Sequence, residues 1–303
     1  MKNLPAIQGS GAAIITPFDA SGRIDDEALV KLMDHWTSGG LDVLVILGTT
    51  GESVTLSSAE KHKFVNRVVE LNQGRCSLVL GMGGNNTAAL CSELEMTDLS
   101  HFEAILSVTP YYNKPSQEGL FQHYKAVSGV SSKPVILYNV PGRTGINMTA
   151  ETTIRIAKEC PNVCAIKEAS GNIEQIMKII HERPEHFLVL SGDDALTLPI
   201  LAAGGHGVIS VIANAFPSQF TKMVHATMHG NLTEARQIHY DLLPFMSLLF
   251  REGNPAGIKA LLKLMGLCEE EVRLPLSGVS SQLFGELEHA LKTYRHVIPG
   301  FAG

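Results

Sequence analysis

The stretch "VCAIKEASG", residues 163–171, ends an otherwise apolar run with an ammonium group. A strand covered on both faces reads as a continuous apolar run. Val163, Cys164, Ala165 and Ile166 fit that pattern, and Lys167 breaks it. Side chains alternate along a strand, so Val163, Ala165 and Lys167 should share one face, with Ile166 and Glu168 on the other. Burial disfavours the charged form of an amine. A neutral amine adds to a ketone or aldehyde and gives an iminium, an electron sink that permits an enamine. Two plainer readings compete: an ion pair with a distant acid, or a head group that snorkels out at the strand end.

Other reactive side chains cluster in short loops. "GTTGES" (48–53) carries the hydroxyls of Thr49 and Thr50 beside closely spaced backbone N–H groups. Such a loop can cradle a carboxylate or phosphate, or it can be a tight turn with threonine caps. It lacks the GxxxxGK[ST] pattern of nucleotide loops. Tyr111 and Tyr112 follow Pro110, and Tyr138 ends the run "PVILYNV". A phenol can relay a proton when a neighbouring hydroxyl holds it, or simply pack its ring. Arg143, in "PGRTG", offers a planar fork to a carboxylate, or stays solvated.

The remaining candidates point away from metals and cofactors. Twelve histidines include no HExxH, and His225 and His229 read as one face of a surface helix. Cys160 and Cys164 have no partners for a zinc site, and "GMGGNN" is not a GxGxxG fingerprint. No metal and no cofactor are expected.

These residues need elements to position them. Eight short apolar runs recur: 12–18, 41–48, 77–83, 103–110, 134–140, 163–169, 187–193 and 207–213. Segments with helical spacing separate them, several opening on start signals: Asp25, Ser57 and Thr149. Eight β units each followed by a helix suggest a closed (β/α)8 TIM barrel more than an open doubly wound sheet. In a barrel the reactive groups sit at the C-terminal strand ends, where "GTTGES", "TPYYNKPSQEG", "YNVPGRTG", Lys167 and "SGDD" all fall. After the eighth run no strand is evident, and the rest reads as a C-terminal helical extension. The expected division is residues 1–230 for the barrel and 231–303 for the extension.

Composition bounds the partners. The 303 residues are 45% hydrophobic and 18% charged, ordinary for a globular chain with a large core. Acidic residues outnumber basic ones, 30 to 24, without a basic run, which argues against nucleic acid and anionic membranes. No apolar run reaches the roughly 18 residues of a membrane span. The first eighteen residues, with Pro5 and Gly9, do not read as a signal peptide. Five cysteines without CxxC spacing fit buried thiols in a reducing cytoplasm.

"GTTGES", "TPYYNKPSQEG", "YNVPGRTG", "IKEASGN" and "SGDD", in that order on successive runs, resemble the dihydrodipicolinate synthase family. It belongs to the pyruvate-dependent class I aldolases that include N-acetylneuraminate lyase. The likeness runs from "AIITPF" to "RLPL" and implies a TIM barrel with a helical extension. It implies a Schiff base between Lys167 and pyruvate, and a proton relay of Thr49, Tyr138 and Tyr112, the last crossing from a neighbouring subunit. Thr50 with its loop backbone would hold the pyruvate carboxylate, and Arg143 that of L-aspartate 4-semialdehyde. Gly192 and Ile209 match positions whose carbonyls face the site. The resemblance also implies a homo-oligomer, a dimer of dimers, making 4-hydroxy-tetrahydrodipicolinate for diaminopimelate and lysine synthesis. The alternatives are a sister aldolase or a silent barrel that binds small acids; Arg143 suits an acidic acceptor better than a sugar chain. Lysine-sensitive relatives carry histidines where this chain has Ser58 and Lys61, and an acid where it has Ala89. Weak L-lysine inhibition is therefore expected, although Ser53, Asn85 and Tyr111 are kept and Glu93 lies nearby.

Overall fold

A computed structural model describes residues 5–294. Eight parallel strands close in sequence order, β8 pairing back onto β1. They are β1 (Gly9–Ala13), β2 (Val43–Ile46), β3 (Ser77–Gly81), β4 (Ala104–Val108), β5 (Val135–Asn139), β6 (Val163–Glu168), β7 (Leu188–Ser191) and β8 (Gly207–Ser210). The intervening helices are α1 (Asp26–Ser38), α2 (Ser58–Asn72), α3 (Thr87–Met96), α4 (Gln117–Val130), the short α5 (Pro141–Thr144), α6 (Ala150–Glu159), α7 (Ile173–Glu182) and α8 (Thr197–Ala202). The chain continues through α9 (Pro217–Met228), α10 (Leu232–Phe250), α11 (Ala256–Leu264) and α12 (Ser281–Thr293). This is a TIM barrel with a C-terminal helical part. The expected extension runs on to residue 303, and residues 295–303 lie outside the described part.

The start signals act as caps. Asp25 accepts from the Ala28 N–H and Thr149 from Thr152. Ser57 and Glu60 form a reciprocal capping box. Each cap satisfies an N–H that the first turn leaves without an intrahelical partner.

Two strand expectations need correction. The first strand was expected at 12–18 but is Gly9–Ala13. Its "GSGAA" sequence carries turn-type residues, yet barrel closure requires small ones there. A β-carbon on Gly11 would lie 2.8 Å from the Val208 carbonyl oxygen. The second correction concerns β6. Val135 pairs with Val163 but Ile136 pairs with Ala165, leaving Cys164 as a bulge. The extra residue shifts the alternation. Val163 packs in the outer, helix-facing core instead of sharing the face of Ala165.

Inside the barrel, Ala13, Val45, Val79, Leu106, Ala165 and Leu190 belong to one buried cluster. A larger cluster fills the space between strands and helices. The lumen is therefore packed, and chemistry is confined to its C-terminal mouth.

Candidate active site

Lys167 pairs in register with Tyr138 on β5 and with Leu190 on β7. Register partners on adjacent strands present their side chains to the same face. Tyr138 belongs to the lumen cluster, and the Lys167 Nζ lies 4.4 Å from its ring centroid. Both residues are buried, 5% and 7% exposed. Among the described residues no hydrogen bond or ion pair ends on this ammonium, which disposes of the distant-acid reading. Glu168 points the other way. It accepts from Asn139 Nδ2, the Ser170 N–H and Gln175 Nε2 at 2.8–3.2 Å. Burial pushes its carboxyl up, and these donors offset part of the effect.

Gly192, just beyond β7, faces the same lysine. A β-carbon there would stand 2.7 Å from Ala169 Cβ and 3.1 Å from Lys167 Cε, so only glycine leaves the lysine room. Ile209, on β8, is buried in the lumen cluster. Asp194 braces the end of that strand, accepting from the N–H groups of Val211 and Ile212. Burial raises its carboxyl to about 6.

The "GTTGES" loop winds into a 3-10 turn, Thr49–Gly51, followed by a second, Ser53–Thr55. Glu52 between them sits in the left-handed region at φ 51. Thr49 is half-buried and Thr50 buried. The Thr16 hydroxyl donates to the Gly51 carbonyl at 2.7 Å. Further support comes from residues more than two hundred positions away. Asn254 Nδ2 donates to Thr50 Oγ1 at 3.0 Å. Lys259 Nζ contacts Glu52 Oε1 at 2.5 Å with both side chains almost fully buried. The Arg273 N–H donates to Glu52 Oε2 at 2.9 Å. Burial lowers Lys259 from the usual lysine range, and Glu52 acts against that shift.

Arg143 lies exposed in α5 and donates through Nη2 to the Asn254 carbonyl at 3.3 Å. Tyr111 and Tyr112 behave differently. Tyr112 is 89% exposed at φ 71, and Tyr111 is 37% exposed. Asn85 Nδ2 donates to the Tyr111 carbonyl at 3.1 Å. A single chain thus brings Lys167, Tyr138 and Gly192 into contact and joins Thr50 to Arg143 through Asn254. It leaves Tyr112 out in solvent, and among the described residues no hydrogen bond joins Thr49 to Tyr138.

Residues that sequence reasoning missed are the buried polar supports: Asn254, Lys259, Glu52, Arg273 and Asp194. One signal was present for Lys259, a cation amid "PAGIKALL". Its partner stands 207 positions away, which nothing local reveals.

Known proteins match this chain in sequence and in fold. The family model described as the dihydrodipicolinate synthetase family matches residues 6–294. The 4-hydroxy-tetrahydrodipicolinate synthase of Parabacteroides distasonis is 52% identical over 286 residues, spanning 94% of this chain and 96% of its own. The crystal structure of dihydrodipicolinate synthase from Thermotoga maritima is similar at a TM-score of 0.93 and 40% identity, covering 97% of this chain and 100% of that one. The chloride-inhibited dihydrodipicolinate synthase of Acinetobacter baumannii, complexed with pyruvate, is similar at a TM-score of 0.92 and 36% identity, covering 96% and 100%. With the match running across nearly all the described residues, the chain belongs to the dihydrodipicolinate synthetase family.

Proposed function

We propose that the protein condenses pyruvate with L-aspartate 4-semialdehyde to give 4-hydroxy-tetrahydrodipicolinate, supplying diaminopimelate and lysine synthesis in the cytoplasm. The carrying observation is a buried ammonium with no carboxylate partner among the described residues, set against a tyrosine ring at the barrel mouth. Such a lysine, deprotonated, is a nucleophile for a keto acid. Lys167 Nζ adds to the pyruvate carbonyl carbon and water leaves. Loss of a methyl proton from the imine gives an enamine, whose carbon attacks the aldehyde carbon of the second substrate. The amino group of the adduct then displaces Lys167, closing the ring and freeing the enzyme.

Thr50 and its loop backbone hold the pyruvate carboxylate, and Arg143 holds that of the semialdehyde. The Gly192 and Ile209 carbonyls line the site. Protons move through Thr49, Tyr138 and Tyr112. The exposure of Tyr112 supports a relay completed across a subunit contact, within a dimer of dimers. The division at residues 230 and 231 separates the barrel from the extension, and no metal or cofactor enters these steps. Borohydride with labelled pyruvate should fix label on the wild type and none on Lys167→Ala. Turnover in a coupled assay with the semialdehyde should fall at least about a thousandfold. Stoichiometric labelling of Lys167→Ala would refute the nucleophile.

A further inference from the structure

The Asn254 side chain lies outside the barrel strands, yet it reaches the proposed carboxylate site. It is 6% exposed. Nδ2 donates to Thr50 Oγ1 at 3.0 Å, the main-chain carbonyl accepts from Arg143 Nη2 at 3.3 Å, and Oδ1 has no partner among the described residues. We infer that Asn254 is a positioning residue that fixes the Thr50 hydroxyl as a hydrogen-bond donor toward the pyruvate carboxylate. This rests on the pyruvate reading above and deepens it.

An amide N–H can only donate, and a hydroxyl carries a single proton. With its oxygen accepting from Asn254, Thr50 has its proton left for another acceptor. A carboxylate is acceptor-only and takes it. The opposite amide orientation would spend the Thr50 proton on Oδ1 and turn its lone pairs toward the substrate's charge. Tethering alone does not require this asparagine. Two residues past Thr50, Glu52 is already fastened by Lys259 Nζ and the Arg273 N–H. The link to Arg143 uses the main chain, so side-chain changes at Asn254 leave it in place.

Asn254→Asp is the test, because it keeps shape and reverses polarity. The substituted side chain, ionised, accepts the Thr50 hydroxyl's hydrogen bond and turns that donor away from pyruvate. The pyruvate concentration for half-maximal borohydride trapping should rise about ten- to a hundredfold at pH 8. The KM for the semialdehyde should stay within about threefold, since Arg143 keeps its anchor. The penalty should shrink as pH falls, because the protonated acid can again donate to Thr50. In a Thr50→Val background the substitution should change pyruvate binding by less than about threefold, which separates hydrogen-bond polarity from plain repulsion. Asn254→Ala, checked for wild-type thermal unfolding, should give a smaller, pH-independent loss. An unchanged pyruvate response in Asn254→Asp, a pH-independent penalty, or a full penalty persisting in Thr50→Val would each overturn the inference. Absence of any imine in the wild type would instead overturn the pyruvate reading, and this inference with it.

Discussion

Asp194 shows what a buried group costs and what it does. Its carboxylate anchors the N–H groups that follow β8, holding that strand's end beside Ile209. Burial lifts its carboxyl from 3.8 to about 6, so the unfolded chain gives up this proton at lower pH than the folded protein. Between those values the folded state binds more protons. The contribution to stability is therefore full below the unfolded value and is lost as pH rises through about 6. A shift of this size corresponds to about 3 kcal/mol. Urea unfolding of the wild type and Asp194→Asn should show it. On going from pH 3.5 to 7, the wild type should lose about 3 kcal/mol relative to the variant. A pH-independent difference would mean that Asp194 does not titrate in that window.

At the scale of elements, the loop after β2 and helix α11 are held as one unit. Glu52 and Lys259 are both almost wholly buried. Lys259 also donates to the Glu271 carbonyl at 2.8 Å, and its ammonium lies 4.1 Å from the Phe18 ring centroid. A buried pair of this kind is weak evidence of net stabilisation, but breaking it strands a charge. Lys259→Met should cost about 3–5 kcal/mol in urea unfolding. The double variant with Glu52→Gln should recover much of that, because no uncompensated carboxylate remains. Strict additivity of the two losses would refute the pairing. The same double variant should bind pyruvate less well, since the clamp behind Thr50 is gone.

At the scale of the whole molecule, the tyrosine that would complete the proposed relay stands exposed in a single chain. Tyr112 and Val54 are 89% and 83% exposed on loops at the barrel mouth. If Tyr112 serves a neighbouring copy, Tyr112→Phe and Lys167→Ala proteins are each inactive alone. Their hybrids hold one site with both residues intact, so mixing should restore measurable turnover. No recovery in proven hybrids would place each relay within one chain. The substituted positions Ser58, Lys61 and Ala89 bear on regulation. Ala89 is exposed, and Lys61 is half-buried. A ligand ammonium about 4 Å from that lysine is repelled by roughly 1 kcal/mol in water and about 4 at an effective dielectric of 20. Initial rates at fixed pyruvate should change little with millimolar L-lysine, and strong saturable inhibition would show that these substitutions leave an effector site intact.

Much of this architecture was legible in the chain because burial and backbone geometry leave periodic local marks. Eight apolar runs, the caps at Asp25, Ser57 and Thr149, and the position of Lys167 at a strand end all follow from residues a few places apart. The places where that reading slipped were set by contacts between distant strands. "GSGAA" forms a strand because β8 presses against Gly11. Cys164 bulges because β5 and β6 fall out of step by one residue. The partners of buried polar groups were wholly out of reach. Asn254 meets Thr50 across 204 positions and Lys259 meets Glu52 across 207. A side chain's own neighbours encode whether it is buried, but the group that satisfies its charge or hydrogen bond is chosen only when the barrel closes and α11 with its flanking residues packs against the loop after β2.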